Sequence, residues 1–120
     1  MATKDIVDVY LAAWSEPDPE KRRPLIKKCW AKGGTYTDPM SDVSGRQGLE
    51  ETIAGFHKQM PGGAIVLAGG IDEHHGRIRF AWALKAADGS MPVKGIDIGQ
   101  LEEDGRLAGI LGFWDNPPAA

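Results

Sequence analysis

Apolar residues recur at helical spacing in three stretches of the first half of the chain. In residues 3–15, Ile6, Tyr10 and Trp14 lie four residues apart, which predicts one buried helical face with Thr3 as its N-cap. The segment "SEPDPEK" interrupts the pattern, a second helix follows as far as Gly33-Gly34, and a third spans 46–60 before "PGG". The apolar stripes of these two helices consist of Leu25, Ile26, Cys29 and Trp30, and of Leu49, Ile53, Phe56 and Met60.

The pattern changes from helical spacing to strands in the second half. Strands are predicted at 64–73, 76–86, 91–102 and 107–114, after a short early strand at 35–38 and a loop at 39–47; "NPPAA" at 116–120 is expected to be a frayed tail. Hairpin turns at 87–90 and 103–105 make these strands an antiparallel meander. Helices followed by such strands predict an α+β fold, with the helices on one face of the sheet. Glycines within the strands predict sharp bends, hence a strongly curved sheet with a pocket beneath the helices.

Composition narrows the classes of protein that fit. A chain of 120 residues fits one domain, 1–120, and a net charge of −3 argues against nucleic-acid binding. The basic cluster Lys21-Arg22-Arg23 is expected to be a solvated helix face. The single cysteine, Cys29, excludes an internal disulfide and is expected to be a small buried side chain. No membrane-length apolar run or signal-peptide core is present, so we expect no membrane span and a cytoplasmic protein.

The order of the elements carries a family resemblance. Helices "VYLAAW" and "RRPLIKKCW", strand "YTDP", helix "GLEETIAGF" and the closing "DGRLAGILGFWD" succeed one another over about residues 5–115. This order resembles the SnoaL-like branch of the nuclear transport factor 2-like superfamily. The resemblance implies a cone-shaped α+β barrel, in which three N-terminal helices pack on a strongly curved, mostly antiparallel sheet. It also implies an internal, mostly apolar pocket and frequent homodimers.

Within that superfamily the chain is also similar to ketosteroid isomerase, and this implies roles for four residues. Asp38 in "TDP" matches the general base, and Tyr10 on the first helix matches the tyrosine that donates to the substrate oxyanion. Asp97 in "GIDIGQL" matches a second acid that stays protonated and shares that work. Trp114 matches a tryptophan that lines the pocket.

The neighbouring residues leave two alternatives open for the position of each acidic side chain, Asp38 and Asp97. Asp38 precedes a proline, so it either caps a turn or points into a cavity as a proton acceptor. Around Asp97, one strand face carries Gly95 and Gly99 while the other carries Ile96 and Ile98. If the glycine face is the inner one, Asp97 is a buried carboxyl with space beside it and a raised pKa; otherwise it faces solvent.

Several aromatic and apolar residues are expected to contact the substrate. The last predicted strand is apolar on both faces, so we expect one face to line the cavity and the outer sheet face to form a homodimer. Trp82 is either part of the pocket wall or part of the core. The predicted substrate-binding residues are Trp14, Tyr36, Phe56, Met60, Trp82, Ile110 and Trp114.

The histidines and Arg79 have less specific predictions. His74 and His75 are adjacent on a strand and would point to opposite faces, so no metal site is predicted. His57 or His75 is an alternative general base, because histidine titrates near neutrality. Arg79 is either an exposed partner of an acid or an anchor for an acidic substrate group.

The leading functional hypothesis is an acid–base enzyme of the isomerase, lyase or cyclase type that needs no cofactor. Its substrate would be a small, largely apolar carbonyl compound bound in the pocket, with Asp38, Asp97 and Tyr10 as catalytic residues. One alternative is a domain that only binds a small molecule or a protein. A second is an epoxide hydrolase in which Tyr36 and Asp38 flank a water.

Overall fold

A computed structural model describes residues 1–115, so the predicted tail at 116–120 lies outside the described residues. Within these residues, three helices and six strands follow one another. They are α1 (Thr3–Ser15), α2 (Pro19–Cys29), β1 (Trp30–Asp38), β2 (Ser41–Ser44), α3 (Gly45–Gln59), β3 (Ala64–His74), β4 (Arg77–Lys85), β5 (Val93–Leu101) and β6 (Leu107–Trp114). Within residues 1–115, no helix is long and apolar enough to cross a membrane.

The six strands form one sheet in the order β2-β1-β6-β5-β4-β3. Only β1 and β6 pair in parallel, and the other four pairings are antiparallel, which confirms the mostly antiparallel prediction. The sheet stays open in the described chain, with β2 and β3 as its edges, so its cone shape comes from curvature. Register shifts in β1 and β3, at glycine pairs 33–34 and 69–70, are where the strands bend.

The first two helices begin and end at identifiable signals. Ala2, rather than the predicted Thr3, is the N-cap of α1, and its backbone N–H donates to the Asp5 carboxylate at 3.2 Å. At α2, the Asp18 carboxylate accepts from the Glu20 N–H at 2.9 Å, and Pro19 occupies the first helical position. This helix ends at Cys29. The prediction that Trp30 belongs to its apolar stripe is therefore wrong.

Strand β1 is longer than the predicted segment 35–38 because it begins at Trp30. Gly33 and Gly34 lie inside it, and a Cβ at Gly34 would come within 2.5 Å of the Trp30 indole. The absence of a side chain there lets the ring of Trp30 fold over the strand. The predicted loop at 39–47 contains the short strand β2, which pairs with the end of β1.

Arg22 is buried, in contrast to the predicted solvated face. Its side chain is 1% exposed and its guanidinium reaches Glu50 Oε1 on α3 at 2.8 Å. It also donates to the carbonyl oxygens of Glu16 and Pro17, at 2.9 and 3.0 Å. These bonds tie the α1–α2 connection to α3 and satisfy a charge that would be costly to bury alone.

The hydrophobic core lies between the helices and the concave sheet face. Its side chains come from all three helices and from β1, β4 and β6. The most completely buried of them include Tyr10, Ile26, Trp30, Leu49, Ile53, Ile78, Phe80 and Leu107. Cys29 belongs to the same cluster, as predicted, and burial raises its pKa to about 12.

Candidate active site

A cavity of about 540 Å³ opens between α1, α3 and the concave face of the sheet. Its wall is mainly aromatic and aliphatic, as expected for a small-molecule site. Nine of the ten predicted site residues line it: Tyr10, Trp14, Tyr36, Asp38, Phe56, Met60, Trp82, Asp97 and Trp114.

Asp38 and Asp97 lie on either side of one glycine. Asp97 on β5 is directly opposite Gly112 on β6, and β6 pairs with the strand that carries Asp38. A Cβ at Gly112 would lie 2.8 Å from Asp97 Oδ1 and 3.6 Å from Asp38 Cβ. Two acids that are 59 positions apart in the chain therefore face the same cavity, with no side chain between them.

Asp97 is 6% exposed, so the glycine face of β5 is the inner one. Trp82 Nε1–H donates to its Oδ1 at 3.0 Å. Burial raises the pKa of Asp97 to about 7, the Asp38 carboxylate adds to the rise, and the Trp82 hydrogen bond opposes it. Near neutral pH the carboxyl is therefore divided between its protonated and ionised forms.

The space left by the other glycines of β5 is filled, contrary to the expectation of room beside Asp97. The Trp82 indole covers Gly95, where a Cβ would collide with it. At Gly99, a Cβ would lie 2.8 Å from Ile78 and 3.1 Å from Ile110.

Ile110 is the one predicted site residue that the structure does not place at the cavity. It is opposite Gly99, is 3% exposed and packs in the core. The alternation that puts it on the inner face is right, but its position toward the start of β6 puts it among the core side chains. Trp114, four residues further on, is the side chain of this face that reaches the cavity.

Asp38 both closes a turn and lines the cavity. Its Oδ1 accepts the Met40 N–H at 2.8 Å, which closes the turn after β1, while the side chain lines the cavity. Its Oδ2 accepts the Tyr36 hydroxyl at 2.6 Å. The phenol and the carboxylate are therefore bonded directly to each other, whereas the epoxide hydrolase alternative places a water between them.

The two tyrosines of the cavity keep their protons. Tyr10 is stacked on Trp30 at 5.8 Å and meets the edge of Phe80 at 6.4 Å. Burial raises the pKa of Tyr10 well above its ordinary value, and the Asp97 carboxylate raises it further. Burial, together with the hydrogen bond to Asp38, also raises the pKa of Tyr36. Both side chains are thus neutral hydrogen-bond donors.

Part of the cavity wall was not predicted from the sequence. From α3, the cavity is lined by Glu51, Thr52, Gly55 and Gln59 as well as by the predicted Phe56, and the predicted Met60 follows directly after the helix. Continuing the helical spacing back from Phe56 identifies Thr52, so the signal was present. Glu51 is a third cavity carboxylate, and it also accepts from Gln47 Nε2 at 3.1 Å. The remaining unpredicted lining residues are Leu11, Met40, Ser41, Ile65, Leu84 and Val93.

The histidines lie outside the cavity wall. His57 Nε2 lies 2.8 Å from the Trp14 carbonyl oxygen, which can only accept, so this nitrogen carries a proton. The prediction that His74 and His75 point to opposite faces is wrong. His75 lies in a turn with φ of 51°, and the Nδ1 atoms of the two rings are 3.1 Å apart. Among residues 1–115, no group of three or more His, Cys, Asp or Glu side chains could hold a metal ion.

Arg79 is an exposed partner of an acid, which was one of its two predicted roles. Its guanidinium reaches the Asp72 carboxylate at 2.8 Å, and both side chains are largely exposed. It does not line the cavity, so it cannot anchor a substrate there.

Solved structures of other proteins share this fold, and some of them are described as nuclear transport factor 2-like. One example is a protein of unknown function from Exiguobacterium sp. 255-15, with a TM-score of 0.71 and 21% identity over 97% of this chain and 100% of its own. Another, from Catenulispora acidiphila, has a ketosteroid isomerase-like fold and was solved with trimethylamine; its TM-score is 0.75 at 14% identity, over 96% and 88% of the two chains. These likenesses establish the fold.

A more similar structure defines the family. A proposed isomerase of the SnoaL-like family from Agrobacterium tumefaciens C58 is 38% identical to this chain and has a TM-score of 0.88. The match covers 93% of this chain and 96% of the other. The protein therefore belongs to the SnoaL-like family. No protein-family model and no curated protein sequence matches it.

Proposed function

We propose that the protein is an acid–base enzyme that acts, without a cofactor, on a small, largely apolar carbonyl compound. The observation that carries the proposal is the pair of acids, Asp38 and Asp97, on either side of Gly112 in one apolar cavity. Two carboxyl groups in different environments are what proton transfer needs, since one accepts a proton while the other donates.

The two acids divide the work in the proposed reaction. Asp38, bonded by Tyr36 and by the Met40 N–H, is the base that removes a proton from the carbon next to the carbonyl. Protonated Asp97 donates to the oxygen that becomes negative, and the neutral Tyr10 hydroxyl is the second donor. Trp82 occupies Asp97 Oδ1, so Oδ2 is the oxygen that would carry the proton. Return of the proton from Asp38 to another carbon would complete an isomerisation.

Exchange of carbon-bound hydrogen tests the reaction without knowledge of the natural substrate. Small cyclic ketones are incubated with the protein in D₂O, and deuterium entry next to the carbonyl is followed by NMR. We expect Asp38→Asn to lower the exchange rate by about 10²–10⁴-fold. The matched control is Asp42→Asn, an exposed acid on the neighbouring strand bonded to Thr37, which leaves the rate unchanged.

Two outcomes would contradict the proposal. If Asp38→Asn exchanges as fast as the wild type, Asp38 is not the base. If the wild-type protein binds the ketones but catalyses no exchange on any of them, the cavity serves for binding alone, which is the competing hypothesis.

We also propose that the outer sheet face forms a homodimer. Four apolar side chains project from the outer face of β5 and β6: Ile96, Ile98, Leu111 and Phe113, the last of them 60% exposed. Sedimentation should give twice the mass of one chain for the wild type and one chain for Phe113→Asp. A monomeric wild type would refute the proposal.

A further inference from the structure

The charged side chains of the cavity all have the same sign. Asp38, Asp97 and Glu51 line it, from β1, β5 and α3. The sequence contains 14 Lys and Arg and 3 His, yet within residues 1–115 none of these side chains lines the cavity. The charges of the whole chain are nearly balanced, so this segregation is a property of the cavity.

The cavity also concentrates aromatic rings. Six of the nine aromatic residues of the sequence line it. On the helix side, the Trp14 ring lies 5.4 Å from Tyr36 and 5.8 Å from Phe56, centre to centre. Trp82 and Trp114 line the sheet side. Aromatic faces attract ammonium groups, and cages of such rings bind quaternary ammonium ligands.

One carboxyl oxygen at the cavity has no hydrogen-bond partner within the described residues. Asp97 is more than nine-tenths buried and its Oδ1 is bonded to Trp82. Within residues 1–115, no hydrogen bond engages its Oδ2, although the side chain lines the cavity. An oxygen in this position is available to a ligand group that donates a hydrogen bond or carries positive charge.

We propose that the cavity, when Asp97 is ionised, binds the cationic ammonium group of a small amine. This binding goes beyond the proposed reaction, which uses the protonated form of the same carboxyl, and it does not require turnover. A carboxylate ligand would face three acids with no counter-charge. A neutral ligand would contact the rings but bring no counter-charge to the acids.

Three ligands of nearly equal shape test which ligand charge the cavity prefers. Choline is a cation, 3,3-dimethylbutan-1-ol is its neutral carbon analogue, and 3,3-dimethylbutanoate is an anion. Calorimetric titration at pH 8 and low salt should show choline binding roughly tenfold or more tighter than the alcohol, with the anion weakest. Equal affinity for choline and the alcohol overturns the proposal, as does tighter binding of the anion or no binding of choline at about 10 mM.

The variant Asp97→Asn and a pH series test whether the preference for choline arises at Asp97 in the cavity. At pH 8, Asp97→Asn should weaken choline binding by roughly tenfold and leave alcohol binding unchanged, because only a charge is removed. At pH 5.5, Asp97 is protonated, so the wild type and the variant should bind choline equally. The titratable groups that face Asp97 are Asp38, Tyr10 and Tyr36, and both tyrosines stay neutral throughout.

The control for this series is Asp72→Asn, an exposed acid paired with Arg79 outside the cavity, which should bind all three ligands as the wild type does. The same choline affinity in Asp97→Asn and wild type at pH 8 would refute the location of the cation.

The failures of the two proposals are distinguishable. If Asp38→Asn still catalyses hydrogen exchange while choline remains the preferred ligand, the proposed reaction is wrong and the cation site stands. If Asp38→Asn abolishes exchange but the three ligands bind equally, the reaction stands and the cation site is wrong.

Discussion

Replacing Asp97 with Asn should change how the stability of the fold depends on pH. Burial raises the pKa of this carboxyl from 3.8 to about 7, with a further contribution from Asp38. In the unfolded chain the pKa returns to its ordinary value. Between the two values the folded state binds one more proton than the unfolded state, so the free energy of unfolding falls as the pH rises.

The size of this loss follows from the difference between the two values. About three pKa units correspond to roughly 4 kcal/mol of unfolding free energy over the full window. Between pH 5 and pH 8 the single-site relation gives about 2.5 kcal/mol. An Asn side chain has nearly the same shape, cannot ionise, and retains an oxygen that accepts from Trp82 Nε1, so the variant lacks this loss.

Urea unfolding at pH 5 and pH 8 measures the effect. Relative to the wild type, Asp97→Asn should gain about 2.5 kcal/mol between the two pH values. The control is Asp104→Asn: hydrogen bonds from Arg106 lower the pKa of Asp104, so its titration in both states lies below this range. If the wild type and Asp97→Asn change in parallel, Asp97 does not hold its proton in the folded state. Its proposed role as a donor would then be wrong.

Three further predictions test the spacing of the site and the packing around it. Gly112→Ala should lower ketone exchange and cost about 1–3 kcal/mol of stability, because its Cβ would lie 2.8 Å from Asp97 Oδ1; unchanged exchange would contradict the geometry. Arg22→Ala should cost about 3–5 kcal/mol in urea unfolding, whereas Arg23→Ala, which removes an exposed ion pair, should cost less than about 1 kcal/mol; equal losses would refute the burial of Arg22. Cys29 should resist alkylation by iodoacetamide at pH 8 until urea unfolds the protein, because the thiol is buried and its pKa is raised to about 12; rapid labelling of the folded protein would refute this.

Local patterns predicted the helices and most strands because each buries one regular face. The same reasoning failed at Trp30, which lies four residues after Ile26 and so continues the helical stripe although it begins β1. It also missed β2, whose "SDVS" sequence is too short and polar to show alternation. The parallel pairing of β1 with β6 joins the two halves of the chain, and no local pattern reports such a contact.

The candidate site was predictable where alternation or the family resemblance fixed the side of a strand. The family resemblance assigned Asp97 to the cavity, because the glycines of its strand left both faces open as alternatives. Alternation placed Ile110 at the cavity although it packs in the core. Arg22 was misjudged because its partner, Glu50, is 28 residues away in the chain. The residues around a charge decide whether it is solvated or buried, and they come from several elements.

The pairing of β1 with β6 also bears on synthesis of the chain. Strand β6 is the sole link between the β2–β1 pair and the rest of the described sheet, and among the described strands it is made last. On a translating ribosome, the early segment that carries Asp38 can form its hairpin with β2 but cannot join the sheet that carries Asp97. The two acids therefore meet only after β6 has been made, and until then the growing chain holds an unpaired strand edge that can associate with other chains.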